Sequence, residues 1–124
     1  DDSRIIQDQI RKTLEKAGYR VVSHSDGQDA WEYLERLRTN GTLHDEVLAV
    51  ISDIEMPRMD GHNFCKRIKE NNGYDGIPVM LFSSLINDTA RHKGESVGAD
   101  DQISKPELGQ LVTRLQDCLR RLAA

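Results

Sequence analysis

Two kinds of segment alternate along the chain: apolar runs of about five to seven residues, and longer stretches whose apolar residues recur every three or four positions. From Ser3 to Ala17 the second pattern sets Ile6, Ile10, Leu14 and Ala17 on one helical face, and Gly18 follows as a left-handed stop. Tyr19 to Ser23 reads as a strand. Asp26 then caps a second helix with Ala30, Leu34 and Leu37 turned inward, ended by Asn40 and Gly41. Val47 to Ser52 lacks polar alternation, as expected of a strand covered on both faces. Pro57 and Gly61 punctuate a loop, and Phe64, Cys65 and Ile68 give the buried side of a third helix running to about Asn71. Ile77 to Phe82 is a second doubly buried strand. Asn87 to Val97 makes a poor helix, with only Ala90 and Val97 for the core and Gly94 inside it, at about 1 kcal/mol relative to Ala. It is predicted to be the loosest element. Asp101 to Ser104 is a short strand, and Glu107 to Leu122 a helix with Leu108, Leu111, Val112, Leu115, Leu119 and Leu122 on one stripe.

This alternation predicts βαβ units and a doubly wound α/β fold built on a parallel sheet, as one domain over residues 1–124. Helix one would ordinarily be fed by a strand ending at Asp1, so the pattern supplies four strands where five are expected. Charged residues make up 31% and hydrophobic ones 37%, which suits a water-exposed globular surface, and the apolar runs are too short to span a bilayer. Asp1 and Asp2 stand where a basic and then apolar leader would begin, so a cytoplasmic location without membrane insertion is expected. A net charge of −4 argues against nucleic acid as a partner. Cys65 and Cys118 lack metal or redox spacing and read as buried thiols; His24, His44, His62 and His92 read as ordinary surface or loop residues, and Trp31 as a packing residue.

The chemistry gathers at the carboxyl ends of strands. Asp1 and Asp2 would end the absent first strand, Asp53 ends the next central one, Ser83 and Ser84 follow Phe82, and Lys105 follows Ser104. In an open parallel sheet those ends share one rim. Three carboxylates there repel one another unless a hard cation joins them, and Mg²⁺ fits because it accepts one or two carboxylates and leaves room for phosphate oxygens. Lys105 adds a point charge and the Ser83 hydroxyl a hydrogen bond, so that Asp53 can attack phosphorus and become an aspartyl phosphate. Each residue alone also has a plain structural role as helix cap, loop carboxylate, buried hydroxyl or surface charge; their joint placement carries the chemical reading.

These residues resemble the receiver domains of bacterial response regulators. Asp1, Asp2 and Ser3 resemble the family's acidic pair and following Ser, and Ser52, Asp53, Ile54, Glu55, Met56, Pro57, Met59, Asp60 and Gly61 its phosphorylation segment. Ser83 and Ser84 resemble its hydroxyl and small residue, Ser104, Lys105 and Pro106 its lysine with a cis-prolyl bond, and Gly98, Ala99 and Asp100 its turn into the last strand. The resemblance implies a flavodoxin-like sheet of order 2-1-3-4-5, from which the first strand is missing here, so that the domain reads as truncated before it. It also implies that a histidine kinase phosphorylates Asp53, that Asp2 and the Glu55 carbonyl join Asp53 on Mg²⁺ with Asp1 holding a metal-bound water, and that Ser83 and Lys105 contact the phosphoryl group. Such a domain is a regulatory phosphoacceptor, catalysing only its own phosphorylation and dephosphorylation. More narrowly, SDIEMP at Ser52 to Pro57, FSSLI at Phe82 to Ile86 and the stretch Lys93 to Asp100 resemble the receiver half of CheV chemotaxis proteins, which implies a CheA-like kinase and a CheW-like coupling domain upstream.

Three departures from the family pattern sharpen the expectations. Without the first strand a slot should open beside Val21 and Val50, filled by a neighbouring chain through strand exchange or dimerisation, or removed by rearrangement. Gln102 stands where many receivers carry an aromatic switch residue, and an amide cannot repeat an aromatic burial switch running from Ser83. Glu55 and Leu85 flank the path of an attacking water, where they would either slow loss of the phosphate or, in the case of Glu55, orient that water. The rival readings are a haloacid-dehalogenase-type phosphatase, which wants a second Asp where Glu55 stands; a flavodoxin-like binding module; and a receiver fold kept as an unphosphorylated docking surface.

Overall fold

The computed structural model describes residues 2–83 and 87–123, with side chains for 4–83, 87–104 and 108–122. Helix α1 (Asp2–Lys16) buries Ile6, Ile10 and Leu14, whereas Ala17 lies past the helix end and is exposed; Gly18, at φ 99°, turns the chain. Helix α2 (Gly27–Asn40) starts at Asp26, whose carboxylate accepts from the Gln28 and Asp29 N–H groups, and stops at Gly41, φ 78°. A one-turn helix α3 (Leu43–Glu46), absent from the sequence expectation, buries Leu43. Then come β1 (Val50–Asp53), α4 (Gly61–Lys69), a 3₁₀ turn at Asn72–Tyr74, β2 (Val79–Ser83), α5 (Asp88–Ser96), β3 (Asp101–Ser104), a second 3₁₀ turn at Lys105–Gln110 and α6 (Leu111–Ala123). The helix expected from Glu107 thus begins later, and its last apolar residue, Leu122, is exposed.

The three strands are parallel in the order β1-β2-β3, with Asp53 opposite Phe82 and Ser83 opposite Ser104. All five residues of β2 are buried, and they alternate between two cores. Val79 and Leu81 pack with Leu34, Leu37, Phe64 and Ile68 of α2 and α4; Met80 and Phe82 pack with Ile6, Ile10, Leu14, Leu111 and Leu115 of α1 and α6. This is the doubly wound α/β arrangement, and it explains why β2 is apolar from Val79 to Phe82 and turns polar only at its last residue, Ser83. Trp31 packs as expected, stacked on Tyr74 with ring centroids 5.6 Å apart. No helix among the described residues is long and apolar enough to cross a membrane.

Tyr19 to Ser23, expected as a strand, forms no ladder. Its propensity is sound, but a strand is completed by a neighbour's hydrogen bonds, and none of the described strands lies beside it. The predicted slot is present: a cleft of about 510 Å³ lies along the outer edge of β1, lined by Val21, Val22, Ala49, Val50 and Ile51, with Ile10 and Leu14 among its other walls. Val22 is 57% exposed on it. The bond before Pro106, implied to be cis, joins two residues whose side chains lie outside the described ones.

Helix α5 is docked through polar groups. Its cap is the Asn87 side chain, and a Cβ on Gly94 would overlap the Gln102 amide, whose Nε2 donates to the Arg91 carbonyl at 3.0 Å. Gly94 therefore makes room for a buried glutamine, and little apolar burial secures the helix. Amide hydrogen exchange is expected to be faster for Asp88–Ser96 than for Gly61–Lys69; equal protection of the two helices would contradict this account.

Candidate functional site

The rim formed by the ends of β1, β2 and β3 is built from backbone outward. Asp53, the last residue of β1, is only 8% exposed, and its Oδ1 accepts from the Glu55 N–H at 3.0 Å. The Ser52 hydroxyl donates to the Asp53 carbonyl at 2.9 Å, and the Ile54 N–H continues the ladder to the Phe82 carbonyl at 3.1 Å. The chain then loops outward and returns where the Gly61 N–H donates to the Ile54 carbonyl at 2.8 Å. A Cβ on Gly61 would overlap the Asp53 carbonyl oxygen, so α4 abuts the end of β1 closely enough to require glycine at its first residue. Asp60 caps that helix by accepting from the Asn63 N–H.

Ser83 ends β2 at 8% exposure, in register with Ser104, after which the chain enters the turn that begins with Lys105. The structure thus brings Asp53 and Ser83 to one rim and delivers the backbone of Lys105 beside them. Glu55 is exposed on the loop above. Asp1, Ser84 and Leu85 lie outside the described residues, as do the side chains of Asp2 and Lys105. Among the described residues no three His, Cys, Asp or Glu side chains converge as a metal cluster.

Gln102 is 5% exposed and points at α5, with its Oε1 buried and without a hydrogen-bond partner. His62, expected at the surface, is instead buried on α4 with an unpartnered Nε2. Burial first, and then the charge of Lys93, hold its pKa below the usual histidine value, so it is neutral at physiological pH. Cys65 and Cys118 are buried free thiols as expected, and burial pushes Cys65 up to about 11.

The sequence reading missed Arg58. Its φ is 62°, the only positive value at a non-glycine among the described residues, and the Met59 N–H donates to the Pro57 carbonyl across it at 2.7 Å. Its guanidinium donates to Asp26 at 2.7 Å and to Asp29 at 2.6 Å, both in the first turn of α2 or its cap. The Arg58 hydrogen bond holds the Asp26 carboxyl below the usual carboxylate range. Asp26 lies 32 residues away in sequence, and no local pattern announces the pair.

The model of the response regulator receiver domain matches residues 1–116. The chain belongs to the receiver domain family. Receivers are the regulatory domains of two-component signalling, and membership displaces the phosphatase and flavin-binding readings. The receiver is 31% identical over 122 residues to the response regulator MprA of Mycobacterium leprae, covering 98% of this chain and 49% of MprA. It is 37% identical over 122 residues to GtcR of Aneurinibacillus migulanus, covering 98% of this chain and 46% of GtcR. It spans about half the length of these curated relatives.

Among solved structures, a response regulator from Chloroflexus aurantiacus matches with a TM-score of 0.81 at 28% identity, covering 98% of this chain and 93% of that one. The receiver domain of the sensor histidine kinase PA1611 from Pseudomonas aeruginosa, with a magnesium ion in its active-site cleft, matches in fold with a TM-score of 0.78 at 24% identity, covering 94% and 90%. These neighbours support the CheY-like, flavodoxin-type fold. The relatives are MprA and GtcR rather than CheV proteins, so the narrower resemblance is not carried by them.

Because Gly61 meets the backbone of Asp53 itself, Gly61→Ala is expected to lower unfolding stability by about 1–3 kcal/mol through overpacking, read as a shift of the denaturant midpoint. An unchanged midpoint would mean that the contact yields freely.

Proposed function

We propose that Asp53 is the phosphoacceptor of this receiver and that a histidine kinase is its phosphodonor. The observation that carries this reading is a buried carboxylate, oriented by the Glu55 N–H, at the rim where Ser83 also ends and Lys105 begins. An Asp53 oxygen forms the new bond to phosphorus as the bond from phosphorus to the donor's histidine nitrogen breaks. The Glu55 N–H holds the carboxylate's rotation during approach. Ser83 donates a hydrogen bond to one phosphoryl oxygen, and the Lys105 ammonium balances the charge on another.

The donors near Asp53 are oxygens, its carboxylate and the Glu55 main-chain carbonyl two residues on, and an all-oxygen set suits Mg²⁺. Asp2 completes the set in this proposal, with Asp1 acting through a water. Bound Mg²⁺ would supply charge neutralisation at the phosphoryl oxygens. The magnesium-bearing receiver of PA1611 supports this cofactor. Gln102, pinned to α5 by its amide, serves as the link from Ser83 to that loosely held helix in place of an aromatic ring.

The cleft beside β1 supports a further part of the reading: a parallel strand occupies it, pairing β1 on one side and Tyr19 to Ser23 on the other. That strand comes from chain outside these 124 residues or from a second copy by exchange. Its arrival would complete the order 2-1-3-4-5. For the whole protein we infer a CheV-like chemotaxis role with a CheA-like kinase and a CheW-like domain upstream, supported by the wording of Ser52 to Pro57 and Phe82 to Ile86.

Treatment of the intact protein with acetyl phosphate and Mg²⁺ is expected to add one phosphate, detected by mass, and to add none to Asp53→Asn; label that survives in Asp53→Asn would refute the assignment. Fusing a β-branched strand of about five or six residues ahead of Asp1 is expected to raise the denaturant midpoint of residues 1–124. Identical midpoints would remove the case for a strand in the cleft.

A further inference from the structure

The loop between Asp53 and α4 is secured at its two ends by its own hydrogen bonds, Glu55 N–H to the Asp53 carboxylate and Gly61 N–H to the Ile54 carbonyl. Its middle is secured from elsewhere. At Arg58 the backbone enters the left-handed region inside a three-residue turn closed by Met59 N–H and the Pro57 carbonyl, a rare and strained conformation for a residue with a long side chain. Such a conformation persists only where surrounding contacts over-determine it. Two contacts do so here, and both come from the start of α2. The Arg58 guanidinium spans Asp26 and Asp29, and the Met59 carbonyl sits so close to Gly27 that a Cβ there would overlap it.

A single exposed ion pair would be a weak tether, and Arg58 is 56% exposed. This one differs in geometry. Asp26 is mostly shielded, with 17% side-chain exposure, and its other oxygen is already fixed by capping α2, so the arginine is held against a pre-ordered acceptor. Arg58 and Asp26 therefore tie the position of the loop to the position of α2.

We propose that Arg58 is a positioning residue for phosphoryl transfer: through Asp26 and Asp29 it holds the strained turn that sets the Glu55 amide and carbonyl over Asp53. The inference rests on Asp53 being the phosphoacceptor. It assigns a role to a side chain that touches neither phosphate nor metal, and it makes the first turn of α2 a support of the acceptor loop.

The test uses the intact protein with acetyl phosphate, following phosphate uptake by mass over a range of Mg²⁺ concentrations. Arg58→Ala loses both ion pairs while keeping a side chain that resists positive φ, and is expected to raise the Mg²⁺ concentration for half-maximal rate about five- to tenfold. Asp26→Asn, which still caps α2, is expected to shift it in the same direction. Arg58→Gly adopts the turn without strain and is expected to return to within about twofold of the parent protein. Amide exchange at Met59 and Gly61 should follow the same ranking. Parent protein that takes up no phosphate overturns the proposed function and this inference with it. Uptake that is identical in Arg58→Ala and the parent, or a Gly variant as impaired as the Ala variant, overturns the inference alone.

Discussion

The burial of every residue of β2 governs the placement of everything else. A strand that is apolar up to its last residue must be covered on both faces and paired on both edges, and here α2 and α4 cover one face, α1 and α6 the other, and β1 and β3 the edges. Two parallel ladders then fix where the neighbouring strands end. Asp53 stops level with Phe82, and Ser104 level with Ser83, so one rim collects the chemically useful residues without any of them needing to specify its own location. The hydrophobic core and the polar site are thus one construction problem, since a slip in the core register would also separate the site.

Around that rim the protein alternates close backbone contact with loose polar contact. Gly27 and Gly61 are the first residues of α2 and α4, and each is required by the approach of loop or strand backbone. Those contacts leave little freedom to the segment between Asp53 and Gly61. Helix α5 is held differently, by the amide of Gln102 and its own cap over a position left open by Gly94. A hydrogen bond can be exchanged at little net free energy, whereas a backbone contact can only be broken by moving whole elements. Helix α5 can therefore shift at a lower free-energy cost than α2 or α4.

The outer edge of β1 shows the opposite condition. Its helical covers are in place above and below, and Tyr19 to Ser23 runs along the far wall, yet no ladder joins them among the described residues. Both helical layers already accommodate an extended segment between them, so the cleft is shaped by the same packing that forms the core. The family match and the TM-scores are obtained despite this interruption, because the β1-β2-β3 ladder and the helices around it hold the common geometry.

Much of this was legible along the chain. The apolar run at Ile77 to Phe82 announced a doubly covered strand, and the run at Val47 to Ser52 a strand that in fact begins only at Val50, with Leu48 exposed and Val50 and Ile51 half-buried. Asp26 and Gly41 bounded their helix, and Asp53, Ser83 and Lys105 fell at strand ends where open parallel sheets bind ligands. These features are local or periodic, and periodicity is what one-dimensional order can encode. Other features belong to three dimensions alone. Tyr19 to Ser23 has the composition of a strand, but pairing is made by a neighbour and not by propensity. Gly94 looked like a flaw in a helix until Gln102 was found packed against it, and His62 looked like a surface residue until α4 turned it inward. Arg58 carried no signal, because its partners lie about thirty residues earlier and meet it only after α2 docks against the loop. The order of residues determined which elements form and which chemistry they carry; the packing of those elements decided which residues hold that chemistry in place, since contacts between distant segments exist only once the core has brought them together.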